Sequence, residues 1–198
     1  MKKSIVVSSA TTSTLALLAA SGSAHAQDWS GFYGGVSLNY NSGDIATGLS
    51  GSSEYGIGGH NGSVFAGHNW NVGNGNTVAG VELALSLGDV DMSYSGVGPG
   101  PGSDYLTISN IFDVKGRVGQ SMGKTLVYGF AGLSVGTRDT VVGDYTISGT
   151  NVGIGVSHMI NENFAVGAEL MRRNMDGGHS AYGSAKMNSA SLRLEMKF

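Results

Sequence analysis

The chain lacks cysteine, contains two prolines and has few charged residues, which make up 13% of its 198 positions. Without cysteine no disulfide can hold the fold, so a secreted chain of this size must be stabilised by its own sheet or by a membrane. Two prolines beside 34 glycines argue against a proline-rich disordered segment and against collagen. Abundant glycine instead suits a tightly curved sheet whose backbones approach closely.

Long hydrophobic runs are also missing. The first 26 residues carry two lysines, an uncharged stretch with a short apolar core at 15–20, and a small-x-small pattern at 24–26. That core is far from the roughly 20 apolar residues of a membrane-spanning helix, and the arrangement is typical of a secretory signal peptide. We predict a signal peptide at 1–26 and one domain at 27–198, with a membrane anchor helix as the alternative.

Basic residues are scarce in the predicted mature chain. Without the two lysines of the signal peptide, nine basic side chains remain against fourteen acidic ones, a net charge of −5. The sequence offers no basic face that would attract a phosphate backbone. We therefore expect no nucleic-acid partner.

Eight segments of the mature chain alternate apolar and polar residues. Successive side chains of a strand point to opposite faces, so each segment has one apolar face. The segments are 31–40, 63–72, 77–87, 105–118, 125–135, 148–159, 164–173 and 187–198. Their lengths are close to the roughly 9–11 residues that a tilted strand needs to cross a bilayer.

Two of these segments need a choice of register. In the fourth, Ile108, Asn110 and Phe112 are predicted to share the apolar face. The fifth is ambiguous, and we predict that its apolar face turns Tyr128 and Phe130 inward.

The connections alternate between short and long. Residues 73–76, 122–124 and 161–163 form tight turns, whereas 41–62, 88–104, 136–145 and 176–186 are longer, polar and glycine-rich. Short turns on one rim and long loops on the other are typical of outer-membrane barrels. The sequence therefore predicts an all-β fold, an eight-stranded antiparallel up-and-down transmembrane β-barrel. Both ends of the mature chain would lie in the periplasm.

Three motifs strengthen this interpretation by resemblance. They are Asp28-Trp29-Ser30-Gly31-Phe32-Tyr33-Gly34-Gly35, then Val114-Lys115-Gly116-Arg117-Val118-Gly119 followed by Leu126-Val127-Tyr128-Gly129-Phe130-Ala131-Gly132-Leu133, and the ending Leu192 to Phe198. Together they resemble the small eight-stranded outer-membrane proteins of Gram-negative bacteria, the opacity-protein-like and OmpA-barrel-like surface antigens. The resemblance implies an integral outer-membrane protein with a structural and surface-antigen role, sometimes with adhesion. It implies no shared catalytic residues.

Eight charged residues lie opposite the apolar stripes. They are Glu82, Asp113, Lys115, Arg117, Glu169, Arg173, Arg193 and Glu195. The interior of an eight-stranded barrel is about wide enough for side chains alone, and buried charges must pair. We predict a lumen ionic network that plugs the barrel. The alternative is a narrow, cation-preferring, porin-like channel lined by the same groups.

Aromatic residues near the strand ends predict a girdle at the membrane interfaces. The predicted girdle is Trp29, Phe32, Tyr40, Trp70, Phe164 and Phe198, with ordinary sheet packing as the alternative. Phe198, which ends the last segment, is predicted to be an assembly signal for the barrel-assembly machinery. Arg172 lies on the lipid face near the long loops, from where it can reach a lipopolysaccharide phosphate. Outer-membrane lipid and lipopolysaccharide are therefore predicted partners.

The long loops are acidic, which suggests a third role. An adhesin or receptor would use 41–62 and 88–104 to contact a host or phage surface ligand. Nucleophilic catalysis needs an acid, a base and a nucleophile together, and none of His60, His68, His158 and His179 has such neighbours in the sequence. We predict that the chain is not an enzyme and has no cofactor or metal site.

Overall fold

The alternating segments form strands that join into one closed antiparallel barrel in the computed structural model. The structure describes residues 28–46, 54–73, 76–88, 90–91, 106–140, 143–176 and 184–198. The strands are β1 (Gly31–Ala46), β2 (Glu54–Val72), β3 (Thr77–Leu87), β4 (Val90–Asp91), β5 (Leu106–Met122), β6 (Thr125–Thr140), β7 (Gly143–Met159), β8 (Phe164–Asp176) and β9 (Ser184–Lys197). No helix in the described part of the chain is long and apolar enough to cross a membrane. The predicted signal peptide lies outside the described residues.

Eight long strands make the barrel wall. Each pairs with its neighbour along the chain, and β1 pairs with β9, from Tyr33↔Lys197 to Ile45↔Ala185, which joins the two ends of the sheet. The two-residue strand β4 pairs with β5 beyond the end of β3. Closure gives each of the eight long strands in the described ranges a partner on both edges. The rim at which β2–β3, β5–β6 and β7–β8 connect is called the turn rim here, and the opposite rim is called the loop rim.

The strands reach further toward the loop rim than the alternation predicts. Strand β3 matches its predicted bounds, but β1 and β2 stay paired as far as Ala46↔Glu54, and β6 and β7 as far as Thr140↔Gly143. Most of the predicted loops 41–62 and 136–145 is therefore strand. Strands pair through backbone N–H and C=O groups, which every residue except proline carries. Polar residues beyond the apolar part of each strand can therefore extend the barrel wall.

The orientation of the wall follows from the exposure of its side chains. The register predicted for β6 is confirmed, because Tyr128 and Phe130 are buried while Leu133 and Val135 are exposed on the outside. Along every long strand the large exposed side chains of the middle section are apolar. The outer face is thus the apolar one, as a lipid environment requires.

A bulge in β5 changes the register near the loop rim. Ser109 pairs with Thr137, but Phe112 pairs with Val135, so β5 contains one extra residue. Asn110 takes up this residue with a φ of 52°, a left-handed conformation that asparagine tolerates better than most residues. The prediction that Ile108 shares the outer face with Phe112 is wrong, since Ile108 is buried inside the barrel.

Candidate functional site

The middle of the barrel interior holds all eight predicted lumen residues. Their exposed fractions lie between 1% and 5%. They come from β3, β5, β8 and β9. Side chains alternate between the two faces of these strands, so the apolar neighbours face the lipid and the charged side chains face the bore. The structure thus contains a buried salt-bridge network within the barrel.

Glu82 is the centre of this network. Its carboxylate accepts hydrogen bonds from Arg193 Nη2 at 2.6 Å, from Lys115 Nζ at 2.9 Å and from the Tyr33 hydroxyl at 3.0 Å. Arg117 Nη1 lies 3.5 Å from the same carboxylate. One acid therefore ties together side chains from β1, β5 and β9, and the contacts cross the bore.

Glu169 carries the network to the other side of the bore. It accepts hydrogen bonds from Arg193 Nη1 at 2.6 Å, from Lys115 Nζ at 3.1 Å and from the Tyr128 hydroxyl at 2.8 Å. Arg193 Nε also donates to Glu195 at 3.3 Å. Three acids and three bases are linked in this group, so its formal charge sums to zero.

Asp113 and Arg173 form a second, separate pair. Arg173 donates from Nη2 at 2.6 Å and from Nε at 3.1 Å to the two carboxylate oxygens, which is the fork geometry that strengthens arginine–carboxylate contacts. Ser134 donates to Asp113 at 2.6 Å, and Arg173 donates to Ser189 at 2.8 Å. This pair is also neutral and has its own hydroxyl partners.

Aromatic rings fill the space beside the charges. The Arg117 guanidinium lies 4.1 Å from the ring centroid of Tyr33 and 4.9 Å from that of Tyr128. Glycine on the next strand makes room for each ring, because a Cβ on Gly67 would lie 2.3 Å from the Tyr33 hydroxyl and one on Gly155 would lie 2.4 Å from Cζ of Tyr128. The role of Tyr33 is not predicted from the sequence, although strand alternation at Tyr33-Gly34-Gly35 indicates that its ring faces inward.

Trp29 does not belong to the aromatic girdle, and that prediction is wrong. The side chain is 4% exposed and lies inside the barrel at the turn rim. Trp29 precedes β1, where strand alternation does not apply, and the chain folds back over the barrel mouth. Asn69 fixes it by donating from Nδ2 to the Trp29 carbonyl oxygen at 3.0 Å. The other five predicted girdle residues are 40–74% exposed on the outer face: Phe32, Tyr40, Trp70, Phe164 and Phe198.

Asp28 latches this folded-back segment to the barrel. Its carboxylate accepts hydrogen bonds from the Ser30 hydroxyl at 2.6 Å, from the Ser30 amide at 2.9 Å and from Asn71 at 2.8 Å. Lys197 donates to the Asp28 carbonyl oxygen. The Ser30 hydrogen bonds hold the pKa of the Asp28 carboxyl below its usual range.

Two apolar clusters lie on either side of the ionic middle. The turn-side cluster comprises Trp29, Val78, Leu126, Tyr128, Phe130, Met159, Ala165 and Met171. The loop-side cluster comprises Ile108, Ile111, Ile147, Met175, Ala185 and Met187. The bulge at Asn110 places Ile108 and Ile111 in the loop-side cluster. An ion that entered from the turn rim would meet apolar side chains before it reached the charged groups. On the loop side, buried Asn39, Asn41 and Ser63 line the part of the bore opposite the apolar cluster.

The described histidines lie on the outer face rather than at a reactive centre. His68 lies between Phe32 and Trp70, with ring centroids 4.4 Å and 4.6 Å away, and His158 contacts the Thr125 hydroxyl at 3.0 Å. His60 contacts the ring of Tyr40. His179 lies outside the described residues. Within the described ranges, no group of three or more metal-ligating side chains is arranged to hold a metal ion.

Known proteins resemble this chain along most of its length. The family model of the outer membrane protein beta-barrel domain matches residues 12–198. The 22 kDa outer membrane protein of Rhizobium leguminosarum bv. viciae is 34% identical over 184 residues, which cover 87% of this chain and 80% of that protein. The 31 kDa outer-membrane immunogenic protein of Brucella melitensis biotype 1 is 26% identical over 200 residues, which cover 86% of this chain and 83% of that protein.

Solved structures agree with the fold. Neisserial surface protein A has a TM-score of 0.53 at 17% identity and covers 85% of this chain and 98% of its own. The outer membrane protein OprG from Pseudomonas aeruginosa has a TM-score of 0.50 at 12% identity and covers 87% of this chain and 98% of its own. At these identities the likeness shows the barrel architecture alone.

Proposed function

Because this chain belongs to the family of outer membrane β-barrel proteins, we propose that it acts as a structural and surface-presenting barrel whose lumen is plugged. It is an integral barrel of the outer membrane. In the proposed role the wall reinforces the envelope, the ionic network and the two apolar clusters close the bore, and the loop rim displays peptide segments at the cell surface.

The pairing of the lumen charges carries this proposal. Each of the eight charged side chains has an oppositely charged partner within 4.0 Å. The formal charges sum to zero both in the six-residue network around Glu82 and Glu169 and in the Asp113–Arg173 pair. Removing one member of a buried pair is strongly destabilising, whereas an intact pair is tolerated. An ion that passed through would have to separate these pairs and also pass the apolar cluster at the turn rim. The arrangement favours a plug over a cation-preferring channel.

Planar-bilayer recording tests the plug. The purified mature protein is expected to give no steady current, with only small and rare openings. Heat-dependent gel mobility in the same preparation would show that the barrel is folded. A steady, cation-preferring current from folded protein would establish the channel alternative and overturn the plug.

Surface presentation rests on the asymmetry of the two rims. The connections at the turn rim are short: 73–76, 123–124 and 160–163. Three of the four connections at the loop rim are longer, namely 47–53, 88–105 and 177–183, whereas 141–142 is as short as a turn. We place the loop rim outside the cell and the termini in the periplasm, as in other barrels of this type. An adhesin or receptor role would rest on the segments 41–62 and 88–104, of which residues 47–53, 89 and 92–104 lie outside the described residues.

Epitope insertion tests this orientation. A tag inserted between residues 97 and 98 is expected to be stained by antibody on intact cells, and a tag at Gly123 only after the outer membrane is permeabilised. The reverse staining would contradict the proposed orientation.

The carboxyl-terminal aromatic supports a role in assembly. Phe198 is 74% exposed at the turn rim, and its amide donates to the Phe32 carbonyl oxygen at 3.0 Å, which places it at the seam where β9 meets β1. We propose that the barrel-assembly machinery recognises this residue. Phe198→Ala is expected to lower the outer-membrane yield severalfold, and Phe198→Tyr to leave it near normal. An unchanged yield for Phe198→Ala would contradict this role.

A further inference from the structure

Two rows of outward-facing residues run across four neighbouring strands of the wall. Their order in the sheet is β1, β9, β8 and β7. The apolar row consists of Tyr40, Ala190, Leu170 and Ile154, which are register partners in turn. The next row toward the loop rim, called the polar row here, consists of Ser42, Asn188 and Arg172, with Val152 at its end.

The two rows line an open groove of about 560 Å³ on the outer face. Ala190 lies between Tyr40 and Leu170 in the apolar row, and its small side chain leaves a depression between two large ones. The floor of the groove is mostly apolar, while its loop-side edge carries the polar row. Such a shape fits a molecule with a hydrocarbon part and a polar head.

Arg172 is the charged member of the polar row and is exposed. In the described part of the chain no carboxylate lies within 4.0 Å of its guanidinium, whereas each arginine inside the barrel has an acidic partner. Its register partners Asn188 and Val152 are neutral. Five guanidinium donors therefore face the membrane without an anion from the described protein.

The depth of Arg172 places it at the border of the apolar band. It lies eight residues from Phe164 at the turn rim. At roughly 3.3 Å per residue and a tilt of about 40°, this separation is about 20 Å along the barrel axis, against an apolar band about 25 Å tall. Beyond it the outward residues Asn174 and Asp176 are polar. The guanidinium is therefore at the level of lipid headgroups on the loop side.

We propose that the groove and the polar row bind one phosphorylated glycolipid of the loop-side leaflet. Its phosphate accepts hydrogen bonds from Arg172, with the bidentate geometry that guanidinium groups offer to phosphate, and one acyl chain lies in the groove over Ala190. Ser42, Asn188 and Arg172 on adjacent strands span about 10 Å, which is wider than one phosphate and suits sugar hydroxyls beside it. The inference rests on the proposed function, since it takes the loop rim to face the cell surface.

Native mass spectrometry of the mature barrel in detergent tests the phosphate contact, with bisphosphorylated lipid A as the probe. The wild type is expected to hold one lipid A and to bind it about tenfold tighter than lipid A stripped of both phosphates. Arg172→Gln should weaken lipid A binding about tenfold, and Arg172→Lys by less. Lys124→Gln, which removes one positive charge from the opposite rim, serves as the matched control and should bind as the wild type does.

A second variant tests the groove independently of charge. Ala190→Leu fills the depression and is expected to weaken lipid A binding about tenfold with Arg172 intact, because it displaces several methylene groups from the groove. Ala66→Leu makes the same change at an exposed position of β2 whose register partners, Gly34 and Leu83, do not line the groove, and it should have no effect. Heat-dependent gel mobility of every variant would show that the barrel is folded.

The outcomes separate this site from the plug. Equal binding by the wild type and by folded Arg172→Gln, or equal binding of lipid A with and without phosphate, would overturn the site and leave the plug intact. Binding unchanged by Ala190→Leu would overturn the seating of the acyl chain. A steady current from the wild type would overturn the plug and leave the lipid site intact.

Discussion

The inner and outer faces of the barrel wall are built from the same strands with opposite chemistry. On β9, Arg193 and Glu195 are 5% and 4% exposed inside the barrel, while their neighbours Leu192 and Leu194 are 69% and 47% exposed outside. A water-soluble protein would show the reverse. The comparison shows that lipid is the solvent of the outer face, where apolar area needs no cover, and that charges are kept inside only by pairing with one another.

The two faces should also differ in what they tolerate. The outer face contacts fluid lipid, so changes in side-chain shape should matter little there and changes in charge should matter much. The inner face is packed by ion pairs and rings, so both kinds of change should be costly. Four substitutions test this difference, and they are given in order of decreasing loss of stability.

Glu82→Gln should have the largest effect. It keeps the shape of the side chain but leaves Arg193, Lys115 and Arg117 one negative charge short, which costs about 3–5 kcal/mol for a buried network. The change is measured as the free energy of unfolding in urea in lipid vesicles. Glu162→Gln removes the same charge from an exposed turn and should change stability by less than about 0.5 kcal/mol. Similar losses in the two variants would contradict a network centred on Glu82.

Leu194→Lys probes the outer face in the middle of the apolar band. A lysine there is expected to cost about 2–4 kcal/mol, because its ammonium must enter hydrocarbon. Thr146→Lys adds the same charge to an outward position of β7 nearer the loop rim and should cost about 0–1 kcal/mol. The same unfolding measurement applies. If both positions accept lysine equally, the middle of the outer face does not contact lipid.

Gly155→Ala tests packing inside the barrel without any change of charge. The added methyl group would collide with the Tyr128 ring, so a loss of about 1–3 kcal/mol is expected. On the neighbouring strand, a Cβ on Gly129 would meet its nearest neighbour at an ordinary 3.8 Å. Gly129→Ala should therefore be neutral or slightly stabilising. A tolerated Gly155→Ala would mean that the space beside Tyr128 is not filled.

The smallest effect concerns the Asp28 latch and its pH dependence. The pKa of this carboxyl is lower in the folded protein than its ordinary value of 3.8, so its contribution to stability is present above that value and is lost as the pH falls through the folded pKa. The side chain is 63% exposed, so the effect should stay below about 1 kcal/mol.

Trp29 reports on this latch in a Trp70→Phe variant, because the chain has two tryptophans. Acidification below pH 4 is expected to shift the Trp29 emission toward that of an exposed indole, while the rest of the barrel stays folded. Asp28→Asn should shift the emission at neutral pH and abolish the acid response. An acid response that persists in Asp28→Asn would have to come from another group.

Much of the architecture could be predicted from the sequence because a barrel wall obeys one local rule. Period-two alternation predicts eight strands, and it correctly places Glu82 and Arg193 on the inner face. The same rule cannot predict which acid meets which base across the bore. Those contacts depend on the stagger between strands, and no local pattern encodes that stagger.

The wrong predictions lie where alternation stops. Trp29 precedes the first strand, so the two-residue alternation of a strand cannot predict that its side chain is buried. Its position near the membrane interface suggests a place in the aromatic girdle instead. Ile108 is predicted on the wrong face because the bulge at Asn110 adds one residue. Two adjacent apolar residues, Ile111 and Phe112, interrupt the alternation at this point. This interruption is the feature of the sequence that indicates the bulge.

Thiol accessibility in the middle of β9 can show whether the bore is filled, since the chain contains no cysteine of its own. Ser191 faces the bore between Asn39 and Glu169, and Leu192 faces outward. If the bore is filled, Ser191→Cys in the folded barrel should react with neither a charged water-soluble reagent nor a lipid-soluble one. Leu192→Cys should react only with the lipid-soluble reagent. Rapid reaction of Ser191→Cys with the charged reagent would show an open, water-filled bore and would rule out the ionic plug.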